Sequence, residues 1–111
     1  MKKLKTLIPS LRERKRYLVF EIHSSEKLNN AKNEILNSIK SFLGSFGLAK
    51  AGVQVLETKG NKGIIKVNNK ELNNVKTALI LTNKINQRDV YVQPIFVTGL
   101  LKKARLRLGG N

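Results

Sequence analysis

The 111-residue chain contains no cysteine and no tryptophan, and it has a single histidine, His23. The lack of cysteine excludes a disulfide framework, a catalytic thiol and a zinc site built from Cys and His. It also fits a protein of the reducing cytoplasm, which is the location we expect. A chain of this length is long enough to form one domain around its own hydrophobic core.

Acidic side chains are also scarce, with seven Asp and Glu against 22 Lys and Arg. The acids are scattered, and no two lie at a spacing that would oblige them to share an acid–base site. His23 has no partner that the sequence reveals. A nucleophile elbow of the G-x-S-x-G type is missing, and TKGNKG at 58–63 lacks the ending of a phosphate-binding loop. We therefore expect no catalytic residue, no protein-bound cofactor and no metal site.

Long apolar runs are missing as well. The longest, ALIL at 78–81, is far shorter than the roughly 20 residues that span a bilayer. The opening MKKLKTLIPS is too short in its apolar part to be a signal peptide, because Lys5 and Pro9 interrupt it. No membrane association is predicted.

Positive charge dominates what is present, and most of the excess lies at the two ends. The formal net charge is +15; residues 1–16 carry seven basic side chains against one acid, and residues 98–111 carry four basic side chains and no acid. Each Lys or Arg that neutralises a phosphate releases condensed counterions. Two basic ends on one domain therefore indicate a polyanion partner, and nucleic acid is the leading candidate.

Hydrophobic periodicity predicts four strands and three helices. Alternation predicts strands, and steps of three and four predict helices, in the order strand 16–23, helix 25–46, strands 51–57 and 64–68, helix 71–85, strand 89–97 and helix 100–108. Glycines 44 and 47 are expected to end the first helix, and Asn68 or Asn69 to cap the second. The inner face of the second helix is predicted to contain Leu72, Val75, Leu79 and Thr82.

The order β-α-β-β-α-β is that of the ferredoxin-like (RRM-like) split βαβ sandwich, an α+β fold with both helices on one face of the sheet. We expect a single domain over 1–111, with a basic arm at 1–15, a sandwich core at 16–97 and a basic helix or tail at 98–111. In the first strand Leu18, Phe20 and Ile22 should face one way. Pro94 places the last strand at an edge or beside a bulge.

Each basic end also has an interpretation that does not involve nucleic acid. LRERKRY at 11–17 could be a solvated terminus, but its arginines suit bidentate phosphate contact and it abuts a strand. The segment TGLLKKARLRL at 98–108 could be a membrane-surface helix. It has neither Trp nor Phe, so we favour a lid that packs Leu100, Leu101, Ala104 and Leu108 on the open sheet face and displays its charges.

Stacking of single-stranded bases on the sheet is not expected. An RNA-recognition motif would place aromatic residues on its central strands, whereas GIIKVN at 63–68 has none. Tyr17 and Phe20 should face opposite ways, and Tyr91 is predicted to be half-buried. Recognition of RNA shape and backbone is the favoured mode.

Three segments carry a family resemblance. PSLRERKRYLVFEI at 9–22, VKTALILTNKIN at 75–86 and VTGLLKKARLRL at 97–108, in that order, resemble the small ferredoxin-like subunits (protein component 2) of archaeal ribonuclease P. The eukaryotic counterpart of that family is shared with ribonuclease MRP.

The resemblance implies a non-catalytic RNA-binding subunit of an endonuclease that removes the 5′ leader from precursor tRNA. In that family the RNA is the catalyst and uses Mg²⁺, and the subunit acts with a TIM-barrel partner, other ribonuclease P proteins and a second copy of itself in a heterotetramer; DNA is not a partner. By this analogy the candidate RNA contacts are Arg12, Arg14, Lys15, Arg16, Lys102, Lys103, Arg105 and Arg107.

Two other functions stay open at this point. A ribosomal or other structured-RNA-binding protein would share the charge and the fold without needing the TIM-barrel partner. A small-molecule regulatory domain of the same strand order would have no need of a net charge of +15.

Overall fold

The computed structural model describes residues 14–25, 31–85 and 87–109. These ranges form five strands, three α-helices and one 3₁₀ turn. In chain order the elements are β1 (Lys15–Ser24), α1 (Ala31–Ala51), β2 (Gln54–Lys59), β3 (Lys62–Asn68), the 3₁₀ turn (Asn69–Glu71), α2 (Leu72–Leu81), β4 (Lys84–Ile85), β5 (Arg88–Thr98) and α3 (Leu101–Arg107).

The strands form one antiparallel sheet in the order β2-β3-β1-β5-β4. β1 is the central strand and pairs with β3 on one side and β5 on the other. Without the two-residue β4, this order is that of the split βαβ sandwich, so the predicted fold is confirmed.

The main core lies between the sheet and the helices α1 and α2. Strand alternation turns Leu18, Phe20 and Ile22 to this side, as predicted, and each is at most 1% exposed. α1 supplies Ile35 and Ile39 at a spacing of four, which places them on one helical face. Burying each such side chain fully contributes about 1.5–3 kcal/mol, so this layer provides most of the folding free energy.

The first helix differs from its prediction at both its apolar stripe and its end. Gly44 has non-helical torsion angles (φ 75°, ψ 169°), so the chain breaks at this predicted glycine, and a second helical segment follows it across a kink to Ala51. Ala31, Ile35 and Ile39 of the predicted stripe are buried, whereas Phe42, before the break, is 48% exposed and Phe46, after it, is 83% exposed. The strand predicted from residue 51 accordingly begins at Gln54.

The second helix is shorter than predicted. It ends at Leu81, because Thr82 adopts extended torsion angles and Lys84–Ile85 pair with the start of β5. Val75 and Leu79 are fully buried and Leu72 packs against the core, as predicted. Thr82 is also buried, although it lies beyond the helix, and its hydroxyl donates to the Ala78 carbonyl at 2.8 Å.

The turn between β2 and β3 and a bulge in β5 occur where glycine and proline are expected to place them. β2 and β3 are joined by the two-residue loop Gly60–Asn61, in which Gly60 has the positive φ of +62° that such hairpins need at their first position. In β5 the register with β1 jumps from Phe96 to Pro94, so Ile95 is an extra residue. The bulge beside Pro94 is thereby confirmed.

Among the residues that the structure describes, no helix is both long and apolar enough to cross a membrane.

Candidate nucleic-acid interface

The short helix α3 packs on the sheet face opposite to α1 and α2. Ala104 is fully buried and Leu108 is 7% exposed, and both belong to a second apolar cluster with Val19 and Ile64. Leu101 packs against the same cluster. The predicted lid is confirmed, except that Leu100 is 57% exposed because it precedes the helix as its N-cap.

The four basic side chains of α3 are exposed. Two of them are held by the sheet: the Arg105 Nε donates to the Glu57 Oε2 at 2.5 Å, and the Arg107 guanidinium lies 4.3 Å from the centroid of the Phe96 ring. An exposed ion pair of this kind contributes about 0–1 kcal/mol. These contacts therefore orient the helix more than they stabilise it. Lys102 and Lys103 lie in its first turn.

The start of β1 brings the other basic segment to the same end of the sheet. Tyr17 pairs with Thr98, the last residue of β5, so β1 begins beside the point where the chain enters α3. Arg14 is exposed and Arg16 is half-buried. A Cβ built at Gly99 would lie 3.3 Å from the Arg16 Nη1, which places this guanidinium against the β5–α3 connection.

The structure describes seven of the eight predicted contact residues, and they lie at one end of the sheet or on the helix that follows it. Arg14, Lys15 and Arg16 lie at the start of β1, where Arg16 is next to Gly99 and so close to the segment that precedes Lys102 and Lys103. Arg105 and Arg107 follow one turn further along α3. Arg12, like the whole of residues 1–13, lies outside the described residues.

A buried asparagine organises the same end, in a role that sequence reasoning missed. Asn68 is 6% exposed; its Oδ1 accepts a hydrogen bond from the Lys15 Nζ, and its Nδ2 donates to the Lys50 carbonyl at 2.9 Å. The predicted capping role is wrong, because the side chain makes no hydrogen bond to the turn that follows. The amide instead joins β1, β3 and the end of α1. An asparagine between a strand and a helical pattern is typical of a helix cap. The bridging role of Asn68 is therefore visible only from its contacts with Lys15 and Lys50 in the structure.

An open cleft of about 550 Å³ lies beside Asn68, between α1 and the start of β2. Three lysines line it, one each from β1, α1 and β3: Lys15, Lys40 and Lys66. The remaining lining residues are Ser45, Leu48, Ala49, Gly52, Val53 and Gln54, so no carboxylate faces the cleft.

The sheet itself offers little area on which unpaired bases could stack. Phe20 is buried under α1 and α2, and Tyr17 packs beneath α3. On the described strands, His23 and Tyr91 stack at the opposite end of the sheet, with ring centroids 4.8 Å apart. Tyr91 is 59% exposed, so its predicted half-burial is wrong; it lies beyond the reach of α3 on the uncovered part of the face. The His23 Nε2 lies 2.9 Å from the Gln93 Oε1.

Within the three described ranges, no group of three or more His, Asp or Glu side chains comes close enough together to hold a metal ion.

Comparison with known proteins adds the following. The model of the Rpp14/Pop5 family matches residues 16–108. Ribonuclease P protein component 2 of Methanococcus aeolicus is 32% identical over 104 residues, covering 92% of this chain and 77% of the relative. The protein of the same name from Methanocaldococcus jannaschii is 32% identical over 109 residues, covering 96% and 81%. That from Methanosarcina mazei is 31% identical over 103 residues, covering 91% and 89%.

Among solved structures, one chain of yeast ribonuclease MRP superposes with a TM-score of 0.57 at 15% identity, covering 87% of each chain. At this identity the likeness concerns the fold alone.

Proposed function

Because the chain belongs to the Rpp14/Pop5 family, we propose that it is a non-catalytic, RNA-binding protein subunit of ribonuclease P. It supports the catalytic domain of the RNA component during removal of the 5′ leader from precursor tRNA. The proposal rests on family membership over residues 16–108 together with the meeting of the two basic segments at one end of the sheet.

The chemistry of that end suits a structured RNA. Arginine presents a planar fork that matches phosphate in two hydrogen bonds, and lysine supplies a compact point charge. Each phosphate contact releases counterions and adds affinity that does not depend on the base sequence. Since α3 covers the middle of the sheet face, the contacts are with RNA backbone and shape and not with bases stacked on the strands.

A compact RNA core crowds phosphates, and their mutual repulsion opposes folding unless cations gather there. The basic end of this protein supplies such cations at fixed positions. In this role the polypeptide has no active site of its own, and catalysis with Mg²⁺ belongs to the RNA. The predicted contacts are Arg12, Arg14, Lys15, Arg16, Lys102, Lys103, Arg105 and Arg107.

The protein partners belong to the same proposal. A TIM-barrel subunit, other ribonuclease P proteins and a second copy of this chain would complete the particle with its RNA and precursor tRNA. A cytoplasmic location stays a prediction from the cysteine-free composition. The alternative, a ribosomal or other structured-RNA-binding protein, is not favoured, because the relatives described above are ribonuclease P components.

The test is cleavage of precursor tRNA by ribonuclease P RNA at low Mg²⁺ concentration. This protein and the TIM-barrel subunit are added separately and together, after circular dichroism has shown that each is folded. We expect strong activation only when both are present. Equal cleavage with and without the pair would refute the assignment as a ribonuclease P subunit.

A further inference from the structure

The lysine-lined cleft beside Asn68 carries an inference beyond the contacts predicted from the sequence. Lys15, Lys40 and Lys66 come from three different elements and line one space of about 550 Å³. Only Lys15 belongs to a basic run in the sequence; Lys40 and Lys66 are isolated charges that the fold brings together.

Like charges that line one cleft repel each other, and no carboxylate among the lining residues offsets them. An anion held between them relieves this repulsion. The lining is therefore that of an anion site.

The floor of the cleft is fixed in position. Asn68 holds the Lys15 ammonium on one side and the Lys50 carbonyl at the end of α1 on the other. Gly52, at φ +62°, packs so closely that a Cβ built there would lie 3.0 Å from the Asn68 Oδ1. A side chain at residue 52 would meet both backbone strain and this contact. The fold thus sets the direction of one of the cations that line the cleft.

The size and the remaining lining indicate what kind of anion fits. The volume lies within the range of about 300–1,000 Å³ found for ligand pockets, which exceeds the needs of a lone phosphate ion. Leu48, Ala49 and Val53 provide an apolar wall, and Ser45 and Gln54 provide polar groups that can form hydrogen bonds. This mixture matches one nucleotide unit of a chain, with its charged phosphodiester and its less polar sugar and base.

We propose that this cleft binds one nucleotide of the RNA, with Lys15, Lys40 and Lys66 on its phosphate oxygens and the apolar wall against its sugar and base. The proposal rests on the proposed function, since it deepens RNA binding by adding Lys40 and Lys66, which lie outside the basic termini. Tyr17 pairs with both Lys66 and Thr98, and neighbouring strands lie about 4.8 Å apart. The backbones at Lys66 and Thr98 are therefore about 10 Å apart across β1, so one lysine of the cleft and the β5–α3 connection lie at the same end of the sheet.

The test is the salt dependence of binding to ribonuclease P RNA, measured for a double variant, Lys40→Gln with Lys66→Gln. The matched control is Lys32→Gln with Lys76→Gln, which removes the same charge at positions that do not line the cleft. Lys32 is eight residues from Lys40 along α1, about 12 Å away. We expect the slope of log K against log salt to fall by roughly 1.4–1.8 in the cleft variant, since each lost phosphate contact removes about 0.7–0.9. The control slope should stay within experimental error of the unmodified protein.

A second measurement uses the unmodified protein, so it does not depend on the folding of a variant. Lysines are acetylated with a water-soluble reagent in the free protein, with the RNA alone and with the TIM-barrel subunit alone, and each site is quantified by mass spectrometry. The RNA should reduce acetylation of Lys40 and Lys66 at least several-fold while leaving Lys32 and Lys76 unchanged.

The outcomes separate this proposal from the function on which it rests. A protein that does not bind the RNA at all would overturn both. Steep salt-dependent binding with equal slopes in the two double variants would overturn the cleft site alone. Protection of Lys40 and Lys66 by the TIM-barrel subunit but not by the RNA would overturn it in favour of a protein contact.

Discussion

Replacing Gly63 by alanine is expected to destabilise the protein although it adds a single methyl group. Gly63 lies opposite Phe20 in the pairing of β1 with β3, and Phe20 is fully buried. A Cβ at residue 63 would lie 2.5 Å from the Cζ and 2.8 Å from the Cε2 of the Phe20 ring, and 3.2 Å from the Glu57 carbonyl oxygen. Carbon atoms in contact are about 3.5–4.0 Å apart, so the overlap is about 1 Å.

The ring cannot move aside freely, because it is packed in the main core against α1 and α2. Insertion of one methyl group into such a core costs about 1–3 kcal/mol. For a domain of this size each kcal/mol lowers Tm by about 4 °C, so the expected loss is about 4–12 °C.

Urea unfolding followed by circular dichroism measures the change. The informative control is Phe20→Leu, which removes the ring edge that the new methyl group would strike. In that background Gly63→Ala should cost at least about 1 kcal/mol less than in the native sequence, which is a coupling well above the scatter of independent sites. If the two substitutions add within about 0.5 kcal/mol, the clash with Phe20 is not the reason that residue 63 is glycine.

Three further predictions concern the basic end. Arg14→Ala with Arg16→Ala should weaken RNA binding for all sequences and lower the salt slope by up to about 2, at roughly 0.9 per phosphate contact; an unchanged slope in filter binding would contradict their role. Ala104→Asp places a carboxylate in the buried seam under α3, so hydrogen exchange should show rapid exchange in that helix while β1 stays protected. Equal protection of α3 in the native protein and in the Ala104→Asp variant would contradict the packing described. Asn68→Ala leaves the Lys50 carbonyl without its partner and should cost about 1–3 kcal/mol in urea unfolding; a cost below about 0.5 kcal/mol would show that the network contributes little.

Much of the fold could be predicted from the sequence, because strand alternation, helical spacing and turn formation depend on residues that are close together in the chain. Alternation in β1 decides which side chains enter the main core, and the three-and-four spacing places Ile35 and Ile39 on one face. Pro94 cannot donate to the ladder, so a bulge nearby was foreseeable. The apolar side of α3 was foreseeable too, since Ala104 and Leu108 lie four residues apart.

The errors arose where local pattern and tertiary contact disagree. The stripe through Phe42 and Phe46 has helical spacing, yet Gly44 changes the direction of the chain. The apolar pattern of α2 runs on to Ile85, but pairing with β5 draws that residue into β4. The glycine itself predicts the break at residue 44, but spacing cannot show that Ile85 joins a strand, because that depends on pairing with β5.

By itself the sequence determined the sandwich and indicated a polyanion partner for the basic termini, because charge, periodicity and turn chemistry act over a few neighbouring positions. Only the tertiary structure decided which of those charges meet. Antiparallel pairing sets the start of β1 beside the end of β5 and beside Lys66 of β3, and the packing of α1 brings Lys40 to the same cleft next to Asn68. Those residues are 25 to 51 positions apart along the chain, so a shared site among them exists only once strand register and helix packing have fixed their distances.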